Sequence, residues 1–239
     1  MTAVLSYVNK EFSIILSDNR INFGRYQEQG FEDGHVKLVN LRNMGWASGA
    51  GLSDYLFKLK ETLASHEIKD TNNIEILFKS VLEACKSENP IFEEDIDASV
   101  VVASWIGANE TSIFLRVGVL SNKHFGTNLT ILENGSINIV YPGDFLESPN
   151  RIKFTEKKYD LNIGEKDFWG SLRIMLNIFK DISLSSKQVS RTCDIGVHLI
   201  QEDGIYKFKI SGEIETLLSE LDTRSIQDRI EIISSITKN

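Results

Sequence analysis

Apolar and polar positions along the chain change period several times, and each change marks an element. Thr2 to Val8 and Glu11 to Ser17 read as two strands, joined across Asn9-Lys10 where asparagine tolerates the positive φ of a tight turn. The second run, Phe12-Ser13-Ile14-Ile15-Leu16, is nearly continuous in apolar side chains, as a strand covered on both faces requires. Asn22 to Gly34 is polar and carries Gly24, Gly30 and Gly34, so it reads as a loop. Val36 to Leu41 and Met44 to Ser48 then read as a second strand pair around Arg42-Asn43. After Ser48-Gly49-Ala50-Gly51 the period becomes helical. Leu52, Tyr55, Leu56, Leu59 and Leu63 form one stripe, and Ile74, Leu77, Phe78, Val81, Leu82 and Cys85 form another behind the Asn72-Asn73 cap. Asn89-Pro90 closes that second helix, and Glu93 to Asp97 reads as a solvated acidic loop.

Strand character returns at Ala98 to Ile106 and Ser112 to Leu120. Asn128 to Leu132 and Ile137 to Tyr141 read as a hairpin around Asn134-Gly135. Asp167 to Ile182 is helical, with Phe168, Leu172, Met175, Leu176, Phe179 and Ile182 as its buried stripe. Asp194 to Gln201 and Ile205 to Ile210 form a last hairpin, and Glu213 to Ile236 reads as one or two short helices. The order ββββ–αα–ββββ–α–ββ–α segregates hairpins from helices, which predicts an α+β fold. Two antiparallel sheets packed face to face, with helices outside, would bury every stripe. Without a linker rich in Pro, Gly or Ser, residues 1–239 are expected to form a single domain.

Composition narrows the partners. A net charge of -8 and the lack of a basic run argue against nucleic acid, whose phosphates call for Lys and Arg. No apolar run approaches the roughly 20 residues of a membrane helix, and no signal peptide is evident, so no membrane partner is expected. Two cysteines give no disulfide framework, and a reducing cytoplasm is the simplest location. The four histidines are scattered without metal-ligand spacing, so no metal or other cofactor is expected.

Taken singly, the polar residues that stand out have plain explanations. Thr2 can be an ordinary edge-strand residue, Asp18 can satisfy turn amides, and Lys37 can be a solvated strand-end charge. In combination, and in this order of elements, the chain resembles the proteasome β-type peptidases and their bacterial relatives among the N-terminal-nucleophile hydrolases. The features that carry the likeness are Thr2 behind Met1, Ser17-Asp18-Asn19-Arg20, the lysine-led Lys37-Leu38-Val39-Asn40-Leu41, Trp46 to Asp54 with its glycines, and Asp194 to Gly204. The resemblance implies a four-layer αββα sandwich. It also implies that Thr2, freed of Met1, is the nucleophile and that its own α-amine is the base. Lys37 would lower the pKa of that amine, Asp18 would orient Lys37, and the N–H of Gly49, or of Gly51, would form the oxyanion hole. Arg20 would brace the backbone. A peptide or protein substrate and a ring-like homo-oligomer are implied in the same way.

Two stretches depart from the family pattern. Tyr141-Pro142-Gly143-Asp144-Phe145 stands where the family has a Gly-Ser-Gly element, with Asp144 as the candidate replacement for its serine. Lys187 to Thr192 stands where the family has Asp-x-x-Ser-Gly and keeps only Ser190. These departures sustain an alternative, a catalytically inactive subunit of the same fold with a structural or assembly role. An unrelated ligand-binding sandwich is a third reading.

Overall fold

A computed structural model describes residues 2–22, 30–42, 45–68, 70–108 and 112–237. Met1, the middle of the predicted glycine-bearing loop, Asn43 of the predicted second turn and Met44 at the head of the strand predicted after it lie outside the described residues.

The first sheet has the order β10 (Ile137–Val140), β1 (Val4–Val8), β2 (Phe12–Asp18), β11 (Thr192–Ile200), β12 (Gly204–Glu213), β13 (Glu231–Thr237), with every pairing antiparallel. The second runs β5 (Val39–Leu41), β6 (Gly45–Ala50), β7 (Val100–Ala108), β8 (Ile113–Leu120), β9 (Thr130–Ile131), also antiparallel. A separate two-stranded ribbon pairs β3 (Ile21–Asn22) with β4 (Phe31–Glu32). The helices are α1 (Ser53–Ser65), α2 (Thr71–Glu88), α3 (Glu93–Ala98), α4 (Asn122–Phe125), α5 (Gly143–Leu146), α6 (Pro149–Lys158), α7 (Phe168–Ser185) and α8 (Ile214–Thr223).

The two-residue period of the strands distributes the core into three clusters. Val4, Val8 and Ile15 of the first sheet meet Trp46, Val102, Val117 and Val119 of the second between the sheets. The alternate residues Leu5, Phe12, Ile14 and Leu16 face Leu172, Met175 and Phe179 of α7 and Leu217 of α8. On the far side Ala47, Val101 and Trp105 face Tyr55 and Leu59 of α1, Phe78 of α2 and Ile96 of α3. The result is the four-layer αββα sandwich, α+β in class. Trp46 ties the two sheets together. Its indole Nε1 donates to Val197 O at 3.3 Å, and its ring fills the space above Gly196, where a Cβ would stand 2.6 Å from ring atoms.

Three local expectations are corrected, and one helix is added. The Asn134-Gly135 turn forms, with Gly135 at φ 85°, but its flanks separate: β9 joins β8 in one sheet while β10 joins β1 in the other. A local turn signal fixes a reversal of direction and leaves the pairing partner to longer-range packing. The acidic run is the short helix α3, in which Ile96 is buried and Asp97 pairs with Lys86 at 2.6 Å. Helix α6 was invisible to periodicity because Thr155 is its one buried residue. The tail holds one helix, α8, followed by a turn and then β13, whose β-branched Ile232, Ile233, Ile236 and Thr237 suit an edge strand on β12.

Candidate functional site

The site forms where β1 and β2 end together. Their register sets Val4 opposite Ser17, so Ala3 lies beside Asp18. Asp18 N donates to Ala3 O at 3.4 Å, and Ala3 N donates to Asp18 Oδ1 at 3.2 Å. The carboxylate is fully buried. It also accepts from Arg20 N at 2.8 Å and, at the long limit of 3.5 Å, from Ser190 N. Donors from three chain segments therefore fix Asp18 before any charged partner is considered.

Lys37 enters from the segment ahead of β5. Its Nζ lies 3.1 Å from each Asp18 oxygen and 2.7 Å from Thr2 Oγ1. The ammonium is thus shared between a carboxylate and a hydroxyl in a site where Thr2, Asp18 and Lys37 are all buried. Burial pushes Lys37 below its ordinary value and Asp18 above its own, and the attraction between the two charges opposes both shifts. Because Lys37 donates to Oγ1, the hydroxyl proton of Thr2 is left to point elsewhere. Oγ1 therefore remains able to give up that proton to a neighbouring base.

Gly49 lies in β6 beyond the last β5 pair, Val39 with Ala47. A Cβ there would approach Val100 O to 2.7 Å and a Leu56 methyl to 2.9 Å, so the position accepts glycine alone. Ser48 Oγ donates to Ser17 Oγ at 2.8 Å, which draws this stretch to the end of β2 next to Asp18. Gly51 has φ 140°, a backbone conformation that favours glycine, and packs against Ser99.

The supporting residues divide. Ser190 joins the site: its Oγ accepts from Asn19 N at 3.0 Å and donates to Thr192 O at 2.7 Å. Arg20 faces away from Thr2, with Nε and Nη2 on Asp33 at 2.7 and 2.8 Å and Nη1 on Lys187 O at 2.7 Å. Its guanidinium also stands 3.6 Å over the Phe31 ring. These contacts hold the β3–β4 ribbon against the loop before β11, and the Arg20 hydrogen bonds keep the Asp33 carboxyl below the usual carboxylate value. Asp144 accepts from Ser186 Oγ at 2.8 Å and stands 3.8 Å from Arg151. Its N–H faces Gln188 Oε1 at 3.4 Å, and no hydrogen bond among the described residues joins it to Thr2, Asp18 or Lys37.

Four participants escaped sequence reasoning. Asp194, turned between the sheets from β11, accepts from Asn19 Nδ2 at 2.9 Å and Ser211 Oγ at 2.6 Å, and so steadies the residue between Asp18 and Arg20. Ser17 and Ser48 bridge the sheets. Lys60 of α1 donates to Lys37 O at 2.9 Å. A signal for Lys60 existed, since a lysine four residues after Leu56 and three before Leu63 falls on the apolar stripe. Among the described residues no group of three or more His, Cys, Asp or Glu could hold a metal ion, and no helix is long and apolar enough to cross a membrane.

No family model and no curated protein sequence matches the chain. Solved structures do. An Anbu mutant from Hyphomicrobium sp. strain MC1 superposes with a TM-score of 0.64 over 95% of this chain and 97% of that one, at 9% identity. Anbu (ancestral beta-subunit) from Yersinia bercovieri gives 0.65 over 94% and 93%, at 10% identity. Eukaryotic HslV from Trypanosoma brucei gives 0.53 over 82% and 98%, at 11% identity. The likeness extends through nearly the whole of the Anbu and HslV chains, and at these identities it establishes a shared proteasome-type fold.

Proposed function

We propose that this chain is a proteasome-like N-terminal threonine hydrolase that cleaves amide bonds in peptides or proteins, with Thr2 as nucleophile once Met1 is removed. The observation that carries the reading is the Lys37 ammonium, 2.7 Å from Thr2 Oγ1 and 3.1 Å from both Asp18 oxygens. In this reading Oγ1 attacks the scissile carbonyl and its proton passes to the free α-amine, whose ordinary pKa of about 7.7–8.0 suits a general base near neutral pH. The Lys37 charge lowers the proton affinity of that amine, and Asp18 holds Lys37 in place. The developing oxyanion is received by the N–H of Gly49, or of Gly51, a contribution of about 2.7–4 kcal/mol for one such donor. The protonated amine then gives its proton to the departing amine of the substrate, and water releases the acyl group from Thr2. Arg20 and Ser190 act on the geometry of Asp18. The fold also supports assembly into a ring-like homo-oligomer, which gel filtration would check; a clean monomer would count against it.

A second reading is favoured by one observation: Asp144 makes its hydrogen bond to Ser186 and none to Thr2. A site left without that support fits a catalytically inactive subunit with a structural or assembly role. Intact mass of the purified protein, followed by incubation with a threonine-directed β-lactone or epoxyketone, separates the two. The hydrolase loses Met1 and gains the adduct at Thr2, and Thr2→Ala abolishes the adduct. Retention of Met1, or a free Thr2 that stays unlabelled, sinks the hydrolase reading.

A further inference from the structure

We propose that Lys60 is a positioning residue for this site: from α1 it anchors the backbone of Lys37 and sets a second cation behind the Lys37 ammonium. The inference rests on the hydrolase reading for its catalytic meaning and on geometry for the coupling itself. Lys37 precedes β5, whose three residues pair with β6 from Val39 onward, so the strand ladder does not hold Lys37. The Lys60 ammonium supplies that hold, 2.9 Å from Lys37 O. The helix that presents it is firmly seated, because Leu59 and Leu63 on either side are fully buried. Lys60 itself is 9% exposed.

A buried lysine ordinarily has a carboxylate beside it, since an uncompensated ammonium is costly to desolvate. The described residues give Lys60 no carboxylate within ion-pairing distance; its ammonium donates to a carbonyl. β5 and β6, against which α1 packs, contribute no ionisable side chain. Lys58 on the same helix pairs with Glu88 of α2. The Lys60 ammonium therefore sits on the Lys37 main chain, within reach of the Lys37 charge, while the Lys37 ammonium has Asp18, Asp33 and Arg20 as its charged neighbours. Burial first, and the Lys37 charge second, push Lys60 down to about 8. A group that titrates there makes the field at Lys37, and so at the Thr2 amine, depend on pH near neutrality. A lysine needed only to tie α1 to the strand segment would leave the Lys37 titration and the pH profile of acylation unmoved on replacement by a neutral side chain.

The test combines β-lactone acylation of Thr2 with NMR titration of the Lys37 Cε signal, for the wild type, Lys60→Met and Lys60→Arg. In the wild type the Lys37 signal carries a second inflection near pH 8, where Lys60 loses its proton. Lys60→Met removes that inflection, slows acylation by about tenfold and moves its pH profile upward; Lys60→Arg restores most of the rate and keeps the profile low through the whole range. A wild-type titration without the second inflection overturns the proposal even if the Lys60→Met protein fails to fold. So does a folded Lys60→Met protein with wild-type acylation and an unshifted profile. An unlabelled wild-type Thr2 with the inflection present overturns the hydrolase reading and supports the Lys60–Lys37 coupling.

Discussion

Removing the Asp18 charge is the sharpest probe of the site. The Asp18 side chain is fully buried and that of Lys37 is 10% exposed, so neither charge can turn to water when its partner is lost. Asp18→Asn leaves the ammonium with Thr2 Oγ1 and a neutral amide oxygen, a buried cation without a counter-charge. Breaking a buried pair from one side costs about 3–5 kcal/mol, and Asp18→Asn is expected to fall in that range at pH 7. Lys37→Met is milder. The carboxylate keeps Ala3 N at 3.2 Å and Arg20 N at 2.8 Å, and protonation offers it a further escape. The double variant buries no charge; its one amide oxygen keeps either Ala3 N or Arg20 N, which donate to different oxygens of Asp18, and it is expected to be more stable than Asp18→Asn alone because no ammonium is left uncompensated. The coupling energy of the cycle should reach about 2–3 kcal/mol, the upper part of what residues in direct contact show.

Urea unfolding at fixed protein concentration measures all four proteins. Equal m-values are required for the comparison, because a change in m reports a change in one of the end states. Two singles whose losses add in the double variant to within about 0.5 kcal/mol would refute the reasoning, since independent sites behave that way.

Other outcomes follow from the same packing. Lys60 has a folded-state value of about 8 against an ordinary 10.5, so the folded protein binds fewer protons than the unfolded chain between those values. Stability should therefore rise from pH 8 to pH 10.5 by up to roughly 3 kcal/mol on account of Lys60, at about 1.36 kcal/mol per pKa unit. Lys207, also lowered to about 8 by burial, acts in the same window, so the difference between wild type and Lys60→Met isolates the Lys60 share; identical slopes in urea titrations would refute it. Gly196→Val would drive a side chain into the Trp46 ring and is expected to destabilise by about 1–3 kcal/mol or more. Pairing it with Trp46→Phe should return part of the loss in thermal melts, and a neutral Gly196→Val would remove Trp46 as the tie between the sheets.

The parts legible in the sequence were those governed by local period. The α1 stripe predicted Leu52, Tyr55, Leu56, Leu59 and Leu63; the last four are buried and Leu52, which caps the helix, is partly buried, while the α7 stripe was found buried at every predicted position. The unbroken run in β2 was read as a strand covered on both faces, and all seven of its residues are buried. What escaped is non-local. Asn134-Gly135 announced a turn but could not say that its flanks enter different sheets. Ile232 to Thr237 became a strand because β12 offers an edge, although the neighbouring α8 stripe suggested more helix. The site divides along the same line. Thr2, Asp18 and Lys37 were visible as residue types in a familiar order, whereas Asp194, Ser17–Ser48 and Lys60 act across the interior, where sequence distance says nothing about proximity.

The two altered elements bear differently on what the site can do. Asp18 is fixed by backbone N–H groups of residues 3 and 20, with Ser190 alongside, and these donors do not depend on the side chains at 144 or 187. The Lys37 ammonium is then placed on Oγ1 by Asp18 whatever occupies those positions. As long as it is charged, however, Lys37 is a donor only and cannot take the hydroxyl proton. Asp144, the candidate from the altered element, is engaged by Ser186 and has no hydrogen bond to Thr2 among the described residues. The remaining base is the α-amine of Thr2 itself, which an intact Met1 peptide bond converts into a non-basic amide. The Thr–Lys–Asp geometry is thus compatible with an inert chain and an active one alike: cleavage of the first peptide bond is necessary for the hydrolase reading, and acylation of the freed Thr2 is what separates it from the inactive one.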